Sequence, residues 1–212
     1  IGAAMHRGGQ YLYGNNSAKA AIEMALWDAL GQAKGKPVYE LLGGAKRMRV
    51  PALRLIGTGS TEGDIAETQK RLAEGYVAIK IKVGVASPEA DAERARAICA
   101  TVKDEKVLIC TDANQAWTPD EAIRFVRGIA DTRIAFFEQP VAGHDVAGMA
   151  RVAAACRVKI GVDEGLHSID DLQHHHDLKA AQGCSLKTIK LGGMRPVYDS
   201  ALLCEKLGMQ VN

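Results

Sequence analysis

The sequence predicts an α/β protein built as a (β/α) barrel, and two observations carry that prediction. From Val50 onward, short runs rich in valine, isoleucine and leucine alternate with helical segments of roughly 12 to 16 residues, which is the pattern of parallel strands joined by crossover helices. The spacing stays nearly constant over six such units. An open doubly wound sheet is the alternative, but the turn at Gly57-Thr58-Gly59 lacks the third glycine of a phosphate-binding loop.

Each element has a local reason in the sequence. Residues 1–16 are rich in glycine and asparagine and are predicted to form a loop. Ser17 to about Ala33 is predicted to be a helix because apolar residues recur there on one face, with Asn16 or Ser17 capping its start and Gly35 ending it. Strands are predicted near 50–56, 77–83, 107–112, 134–138, 158–163 and 185–191, with a seventh beginning at 209, and helices near 61–74, 88–103, 119–130, 145–156, 169–182 and 196–207.

Three of these helices are preceded by side chains that suit a helix start. Ser87, Thr118 and Ser168 have hydroxyl oxygens that can accept a hydrogen bond from a backbone N–H group of the first turn. Six parallel strands would leave unpaired sheet edges, and the chain ends at Asn212 just as a seventh strand begins. We therefore expect one or two further barrel units after Asn212.

The composition bears on several classes of protein. Lys and Arg together number 27 and Asp and Glu 25, so the net charge gives no reason to expect a nucleic-acid or membrane partner. No apolar run approaches the ~18 residues that span a bilayer, and no signal peptide opens the chain. The five scattered cysteines favour free thiols in a reducing cytoplasm over disulfides or a zinc site. We therefore expect a cytoplasmic protein.

Three predicted strands each end on an acidic residue. Asp112, Glu138 and Asp163 follow one another at intervals of 26 and 25 residues, about one strand plus one helix. Parallel barrel strands bring their carboxyl ends to one face, so the three carboxylates are expected to converge. Converging carboxylates repel one another unless a cation lies between them. The spacing therefore predicts a divalent metal site and makes the chain an enzyme candidate.

Lysines flank these acids on both sides. Period-two alternation places Lys80 and Lys82 on the same face of the second strand, expected to be the barrel interior. Lys187 lies in the sixth predicted strand, on the opposite side of the metal. A lysine crowded by a second ammonium group loses its proton more readily and can act as a base, and Lys80 supplies that crowding for Lys82. A divalent cation stabilises the ene-diolate formed when a proton leaves the carbon beside a carboxylate.

Five motifs occur in a fixed order along the chain. They are Lys80-Ile81-Lys82, Asp112 to Trp117, Phe137-Glu138-Gln139-Pro140, Asp163-Glu164, and Lys187 to Gly193. In these residues the chain resembles the muconate-lactonizing subgroup of the enolase superfamily. The resemblance begins earlier, at Ala18 to Asp28 and Leu41 to Gly44, and runs to the end of the chain.

This resemblance implies a fold, a domain organisation and a cofactor. It implies a modified (β/α)7β barrel of the TIM type, of which residues 49–212 hold the first six βα units and the start of the seventh strand. Residues 1–48 would be the last helical part of an N-terminal α+β capping domain. The metal ligands would be Asp112, Glu138 and Asp163, binding Mg²⁺ or Mn²⁺.

The resemblance also implies roles for the residues around the metal. Lys82 and Lys187 would be the acid/base pair, with Lys80 tuning Lys82. Asn114 and Glu164 would orient the metal ligands and balance their charge. Family members commonly assemble, so a homo-oligomer is implied as well.

The reaction within this subgroup is less well defined by the motifs. Its reactions include muconate cycloisomerisation, dipeptide epimerisation, N-acylamino acid racemisation, o-succinylbenzoate formation and eliminations on amino-acid derivatives. Two opposed lysines suit both racemisation and cycloisomerisation. The stretch from Gly57 to Ile65 looks like the cycloisomerase branch, so we expect a muconate cycloisomerase-like isomerase that acts on a small-molecule carboxylate.

Three side chains or groups have competing interpretations. Arg54 interrupts two leucines on the first strand and could bind a second substrate carboxylate or form a structural ion pair. The run His174–His176 invites a metal site, but consecutive residues do not share a helical face, so a solvated helix surface is favoured. Lys190 lies three residues beyond Lys187 and is expected to make a structural pair.

Three alternatives of other kinds remain open. The first is a Schiff-base aldolase that uses Lys187 covalently, which the three carboxylates argue against. The second is an inactive barrel that serves as a binding module, which failure to bind any divalent metal would favour. The third is a truncated product, which would be unstable because its sheet is not closed.

Overall fold

The computed structural model describes residues 1–211. The chain divides into two compact units. One, here called the strand unit, consists of residues 51–165 and 174–184, and the other, here called the helical unit, consists of residues 1–50, 166–173 and those from 185 onward. None of the helices in residues 1–211 is both long and apolar enough to cross a bilayer.

Residues 1–211 contain ten helices and seven strands. The helices are α1 Gly2–Tyr11, α2 Asn16–Lys34, α3 Val38–Leu41, α4 Thr61–Ala73, α5 Pro88–Thr101, α6 Pro119–Gly128, α7 Val146–Ala154, α8 Ile169–Asp177, α9 Thr188–Leu191 and α10 Met194–Leu207. The strands are β1 Leu53–Ile56, β2 Ala78–Lys82, β3 Leu108–Asp112, β4 Phe136–Glu138, β5 Lys159–Val162, β6 Gly183–Cys184 and β7 Gln210–Val211.

In the strand unit, β1 to β6 lie side by side in chain order, and each strand is parallel to the next. A helix follows each of the first five strands in the sequence. The predicted alternation of parallel strands with crossover helices is thereby confirmed. Crossover helices cover both faces of a parallel sheet and so bury its strands on both sides. All three residues of β4 are buried in this way.

An aromatic cluster fills the space between β4 and α6. The ring centroids of Trp117 and Phe125 lie 4.9 Å apart, and those of Phe125 and Phe137 lie 5.0 Å apart. On the other face of β4, a Cβ atom added to Gly161 would lie 2.1 Å from Cζ of Phe136. Only glycine leaves room there for the fully buried Phe136 ring, so the large and small residues of neighbouring strands interlock.

The predicted caps at the starts of α5, α6 and α8 are confirmed. The hydroxyl oxygen of Ser87 accepts a hydrogen bond from the N–H of Ala90 at 3.3 Å, and that of Ser168 accepts one from the N–H of Asp171 at 3.0 Å. Thr118 forms a full capping box with Glu121. The Glu121 carboxylate accepts from the Thr118 N–H at 2.9 Å and from its hydroxyl at 2.8 Å.

Replacing Thr118 by alanine is expected to lower the free energy of unfolding by about 1 kcal/mol, because a helix cap is lost. The two bonds from Thr118 hold the pKa of the Glu121 carboxyl below its usual range. A lowered folded-state pKa stabilises the fold above the unfolded pKa, and that contribution is lost as the pH falls through the folded pKa. In urea unfolding, the difference between the wild type and Thr118→Ala should therefore be largest near neutral pH and shrink in acid to the part caused by the lost bond to the Thr118 hydroxyl. Glu121→Gln is the matched control, and it should remove this pH dependence while keeping an acceptor at the helix start.

The prediction of a loop at residues 1–16 is wrong. Residues Gly2–Tyr11 form helix α1, in which the N–H of Met5 donates to the Ile1 carbonyl and the N–H of Leu12 to the Gly8 carbonyl, both at 2.9 Å. The adjacent residues Gly8 and Gly9 each lower the stability of a helix by about 1 kcal/mol relative to alanine. The Ala3-Ala4-Met5 run, in which every residue favours a helix, precedes them.

The prediction that Asn16 or Ser17 caps α2 is also wrong. The N-cap residue is Asn15, with φ +50° and no capping hydrogen bond from its side chain, whose amide donates to the Tyr13 carbonyl at 2.9 Å. The side-chain amide of Asn16 donates instead to the carbonyls of Lys190 and His167, the second at 3.0 Å. A long-range contact within the helical unit has taken the place of a local cap. The predicted end of α2 at Gly35 is confirmed, with the left-handed φ of +60° that glycine adopts readily.

The predicted strand at residues 185–191 is wrong as well. The sixth strand contains only Gly183–Cys184, and Thr188–Leu191 forms one helical turn, α9. The N–H groups of Gly192 and Gly193 both donate to the Thr188 carbonyl, at 2.8 and 3.0 Å. Gly192 has φ +89°, which glycine adopts at little cost, so the two glycines close a helical turn that the apolar alternation did not reveal.

Candidate active site

Three carboxylates meet at the carboxyl ends of neighbouring strands in the strand unit, as the sequence predicts. Asp112 is the last residue of β3 and Glu138 the last residue of β4, and the register pairs the two directly. Asp163 follows β5 by one residue. Their exposed fractions are only 3%, 2% and 1%, so the three acids are withdrawn from water.

Burial of this kind changes the acidity of Glu138. Desolvation raises the pKa of the Glu138 carboxyl, and the negative charges of Asp112 and Asp163 raise it further, while the ammonium group of Lys80 lowers it. Desolvation is the largest of these causes. A buried carboxylate beside two others gains most from a positive charge close by, so this end of the sheet favours cations.

Two lysines supply positive charge at this place. The Lys80 ammonium donates to Oε2 of Glu138 at 2.6 Å, and the Lys82 ammonium donates to Oδ2 of Asp112 at 2.5 Å. The side chain of Lys80 is 13% exposed and that of Lys82 is 32% exposed. Lys82 is therefore the lysine of the pair that a substrate could reach from solvent.

Asn114 connects the acids to a further carboxylate. Its backbone N–H donates to Oδ1 of Asp112 at 3.0 Å, and its side-chain amide donates to Oε1 of Glu164 at 2.9 Å. Its side-chain oxygen accepts from the ammonium of Lys82. The backbone of Asn114 is left-handed, with φ +43°, a conformation that asparagine tolerates better than most residues. The turn after β3 thus orients Asp112 and Lys82 together.

Gln139 is a site residue that the sequence analysis missed. It is fully buried with φ +33°. Its side-chain oxygen accepts from the N–H groups of Asp163 at 2.9 Å and Gly165 at 3.1 Å, and its side-chain amide donates to the Val141 carbonyl at 2.9 Å. Gln139 therefore fixes the backbone that carries Asp163. A polar residue directly after the acid of an apolar strand was the only available signal.

Arg54 forms an ion pair, which was one of its two predicted roles. Its guanidinium lies 3.4 Å from Oε1 of Glu67, and Arg71 binds the same oxygen at 2.7 Å. The bond from Arg71 is the main reason that the pKa of Glu67 is lowered, and the bond from Arg54 adds to it.

Lys187 and Lys190 belong to the helical unit. Lys187 is exposed and occupies the N-cap position of α9. The Lys190 ammonium donates to the Ser185 carbonyl at 3.2 Å, a structural contact of the kind predicted for it. The side-chain amide of Asn16 in α2 donates to the Lys190 carbonyl, so α2 holds the turn that follows Lys187.

The histidine run divides among different environments. His174 is exposed, as predicted for a solvated helix surface, whereas His175 is only 1% exposed. The prediction of a solvated surface is wrong for His175, because its ring is buried against Gly165. A Cβ atom built on Gly165 would lie 3.3 Å from Nε2 of His175. His175 therefore packs on the turn after β5. Nδ1 of His176 lies 3.3 Å from Oδ1 of Asp177.

The donor set at the strand ends suits a hard divalent cation, because it is made of buried carboxylate oxygens on adjacent strands. Among residues 1–211, no three His, Cys, Asp or Glu side chains are arranged to hold a metal ion as they stand. Two of the three acids bind lysine ammonium groups instead. These ammonium groups provide the positive charge that a metal ion would provide.

Two family models match the chain. Residues 64–212 match the family described as enolase C-terminal domain-like. Residues 1–43 match the N-terminal domain of the mandelate racemase/muconate lactonizing enzyme family.

The relatives of this chain include cycloisomerases and epimerases. A chloromuconate cycloisomerase of Cupriavidus pinatubonensis is 35% identical over 199 residues, which is 93% of this chain and 53% of the relative. An L-Ala-D/L-Glu epimerase of Clostridium acetobutylicum is 34% identical over 201 residues, 94% of this chain and 55% of the relative. The chain thus spans about half the length of the curated relatives that it matches.

Solved structures of a muconate lactonizing enzyme and of an epimerase resemble the fold of this chain. The muconate lactonizing enzyme of Pseudomonas fluorescens, complexed with muconolactone, superposes with a TM-score of 0.93 at 34% identity, covering 99% of this chain and 57% of the other. A dipeptide epimerase of Enterococcus faecalis gives a TM-score of 0.86 at 29% identity, with 96% and 58% covered. These superpositions confirm the predicted fold class.

Proposed function

Because the chain belongs to the mandelate racemase/muconate lactonizing enzyme family of the enolase superfamily, we propose that the whole protein is an isomerase that moves a proton beside a substrate carboxylate. The observation that carries this proposal is the position of Lys82. Its partly exposed ammonium group lies against Asp112 at the edge of three buried carboxylates. A lysine that can carry a proton and three carboxylates that can bind a cation thus lie at the same end of the sheet.

Asp112, Glu138 and Asp163 would hold Mg²⁺ or Mn²⁺. When bound, this metal supplies positive charge that binds the substrate carboxylate and stabilises the negative charge that builds as the neighbouring proton leaves. Gln139 holds the backbone of Asp163 in place through its bond to the Asp163 N–H. The backbone N–H of Asn114 donates to Oδ1 of Asp112 and so orients its carboxylate, and Glu164 fixes the side chain of Asn114.

Lys82 would take or give the proton, with Lys187 as the other member of the acid/base pair. Lys80 binds Glu138 and is less exposed than Lys82, so its role is to place positive charge among the acids and close to Lys82. Proton transfer by a positioned side chain contributes about 10²- to 10⁴-fold to rate.

The substrate that we propose is a small carboxylate, with muconate cycloisomerisation as the first candidate reaction. Racemisation or epimerisation of an N-acylamino acid or dipeptide is the second candidate, because an epimerase is 34% identical and a cycloisomerase 35% identical over nearly the same length. We further propose that the protein is a cytoplasmic homo-oligomer. Five cysteines that form no disulfide within residues 1–211 are compatible with a reducing compartment.

Hydrogen exchange into substrate tests the proposal directly. The full-length protein with Mg²⁺ in deuterated water would be offered muconate, dipeptides and N-acylamino acids, and deuterium at the carbon beside the carboxylate would be followed by mass spectrometry. Rapid muconate turnover without amino-acid exchange identifies the cycloisomerase, and exchange of an amino-acid derivative identifies the racemase or epimerase. A metal-loaded protein that acts on none of these compounds would refute both candidate reactions.

A further inference from the structure

A buried charge network contacts the backbone of Lys82. Its centre is Arg94 of α5, whose side chain is 12% exposed. The guanidinium donates to the backbone carbonyl of Lys82 and to the carboxylate of Asp64, and it donates to Oδ1 of Asp91 at 2.9 Å. Asp64 and Asp91 are both fully buried.

Each of these two acids holds one loop at the carboxyl end of the sheet. Oδ1 of Asp64 accepts from the N–H of Thr58 at 2.6 Å and from its hydroxyl at 2.9 Å, which fixes the loop after β1. Oδ2 of Asp91 accepts from three consecutive N–H groups in the loop after β2. They belong to Gly84 at 2.7 Å, Val85 at 3.2 Å and Ala86 at 3.3 Å.

The loop after β1 also touches the Lys82 side chain. A Cβ atom on Gly57 would lie 3.2 Å from Cβ of Lys82 and 3.5 Å from its Cγ, so the glycine allows the lysine stem to pass close to the backbone. Lys82 is therefore held twice, through its carbonyl by Arg94 and along its stem by Gly57. Arg94 connects both contacts, because it binds the acid that fixes the next residue, Thr58.

Buried charges such as Arg94, Asp64 and Asp91 contribute more to fixing the positions of their partners than to the stability of the fold. Burying an ion pair is often no more stabilising than a packed apolar pair of the same size, because desolvation offsets the attraction. Here two carboxylates and one guanidinium are buried, and the five hydrogen bonds from Thr58 and the residues after β2 compensate the extra negative charge. The result of this arrangement is a fixed geometry for two loops and one lysine.

We propose that Arg94 is a positioning residue for Lys82, acting through the Lys82 carbonyl and through the loops held by Asp64 and Asp91. This inference rests on the proposed acid/base role of Lys82. Misplacing a reacting group by about 1 Å can cost about 100-fold in rate. Loss of Arg94 should therefore lower kcat and leave KM almost unchanged, since the lysine acts in the transition state rather than in binding.

The test uses the full-length protein with Mg²⁺ and the substrate found by deuterium exchange. Arg94→Met is expected to lower kcat about 10- to 100-fold with KM within about twofold, and Arg94→Lys to recover part of the loss because it keeps the charge but not the fork of donors. The matched control is Arg96→Met on the same helix, where the side chain pairs with exposed Asp131. Such a surface pair contributes little, so kcat should not change.

A second readout does not depend on activity. Amide hydrogen exchange at Thr58, Gly84, Val85 and Ala86 should speed up in Arg94→Met and stay unchanged in Arg96→Met. A folded Arg94→Met with kcat within about twofold of the wild type would overturn the inference while leaving the proposed function intact. If Arg94→Met does not fold, Asp91→Asn decides in its place: a lower kcat with unchanged KM supports the inference, and an unchanged kcat overturns it. A wild-type protein that acts on no substrate would instead defeat the proposed function, and the inference with it.

Discussion

Replacing Lys82 by alanine in the full-length protein is expected to reduce turnover by at least about 100-fold, because general acid/base groups contribute about 10²- to 10⁴-fold. Lys82 is the more exposed of the two lysines that contact the buried acids, so it is the one placed to meet a substrate. We expect a loss of the same order for Lys187→Ala. The measurement is deuterium incorporation and steady-state turnover of the substrate identified by exchange, with circular dichroism to confirm that each variant is folded.

Lys159→Ala is the matched control for this pair. Lys159 is an exposed lysine at the first residue of β5, at the opposite end of the sheet from the acids, so its removal should leave turnover unchanged. Full activity in Lys82→Ala would contradict the proposed mechanism. Full activity in Lys187→Ala alone would leave Lys82 as the single acid/base group and would remove Lys187 from the pair.

Removing the divalent metal is expected to abolish turnover, and adding Mg²⁺ or Mn²⁺ is expected to restore it. Glu138→Gln should lower metal affinity by more than about 100-fold, since even residues that only orient a metal ligand cost about 10- to 100-fold when replaced. The glutamine keeps the size of the side chain but not the charge that the buried site offers to a cation. A thermal-shift titration measures this without any substrate, because saturating metal at about 100 times Kd adds about 2.7 kcal/mol to the free energy of unfolding.

The same substitution at Glu105 is the control for Glu138→Gln. Glu105 is exposed, two residues before Val107, and the metal-dependent shift should survive its replacement. Full turnover after chelation, or an equal metal shift in the wild type and Glu138→Gln, would exclude the three carboxylates as the metal site. Retained metal binding with lost turnover would place Glu138 in the chemistry rather than in the binding of the metal.

The sequence by itself determined the alternation of β1 to β5 with their crossover helices and the convergence of the three acids. Both follow from spacing, because a parallel strand and its crossover helix have nearly fixed lengths and the acids at 112, 138 and 163 repeat at that interval. The caps at Ser87, Thr118 and Ser168 could be predicted for a related reason. Each makes its bond to an N–H group only three residues away, so the local sequence contains both partners.

Only the tertiary structure decided the contacts that join distant parts of the chain. Gln139 supports Asp163 from 24 residues away, and Asn16 binds the Lys190 carbonyl from 174 residues away instead of capping its own helix. The glycine conformation at Gly192 turned a predicted strand into α9. For Gln139 and Asn16, the partner of a polar side chain lies far away in the sequence, and the packing of distant elements selected that partner.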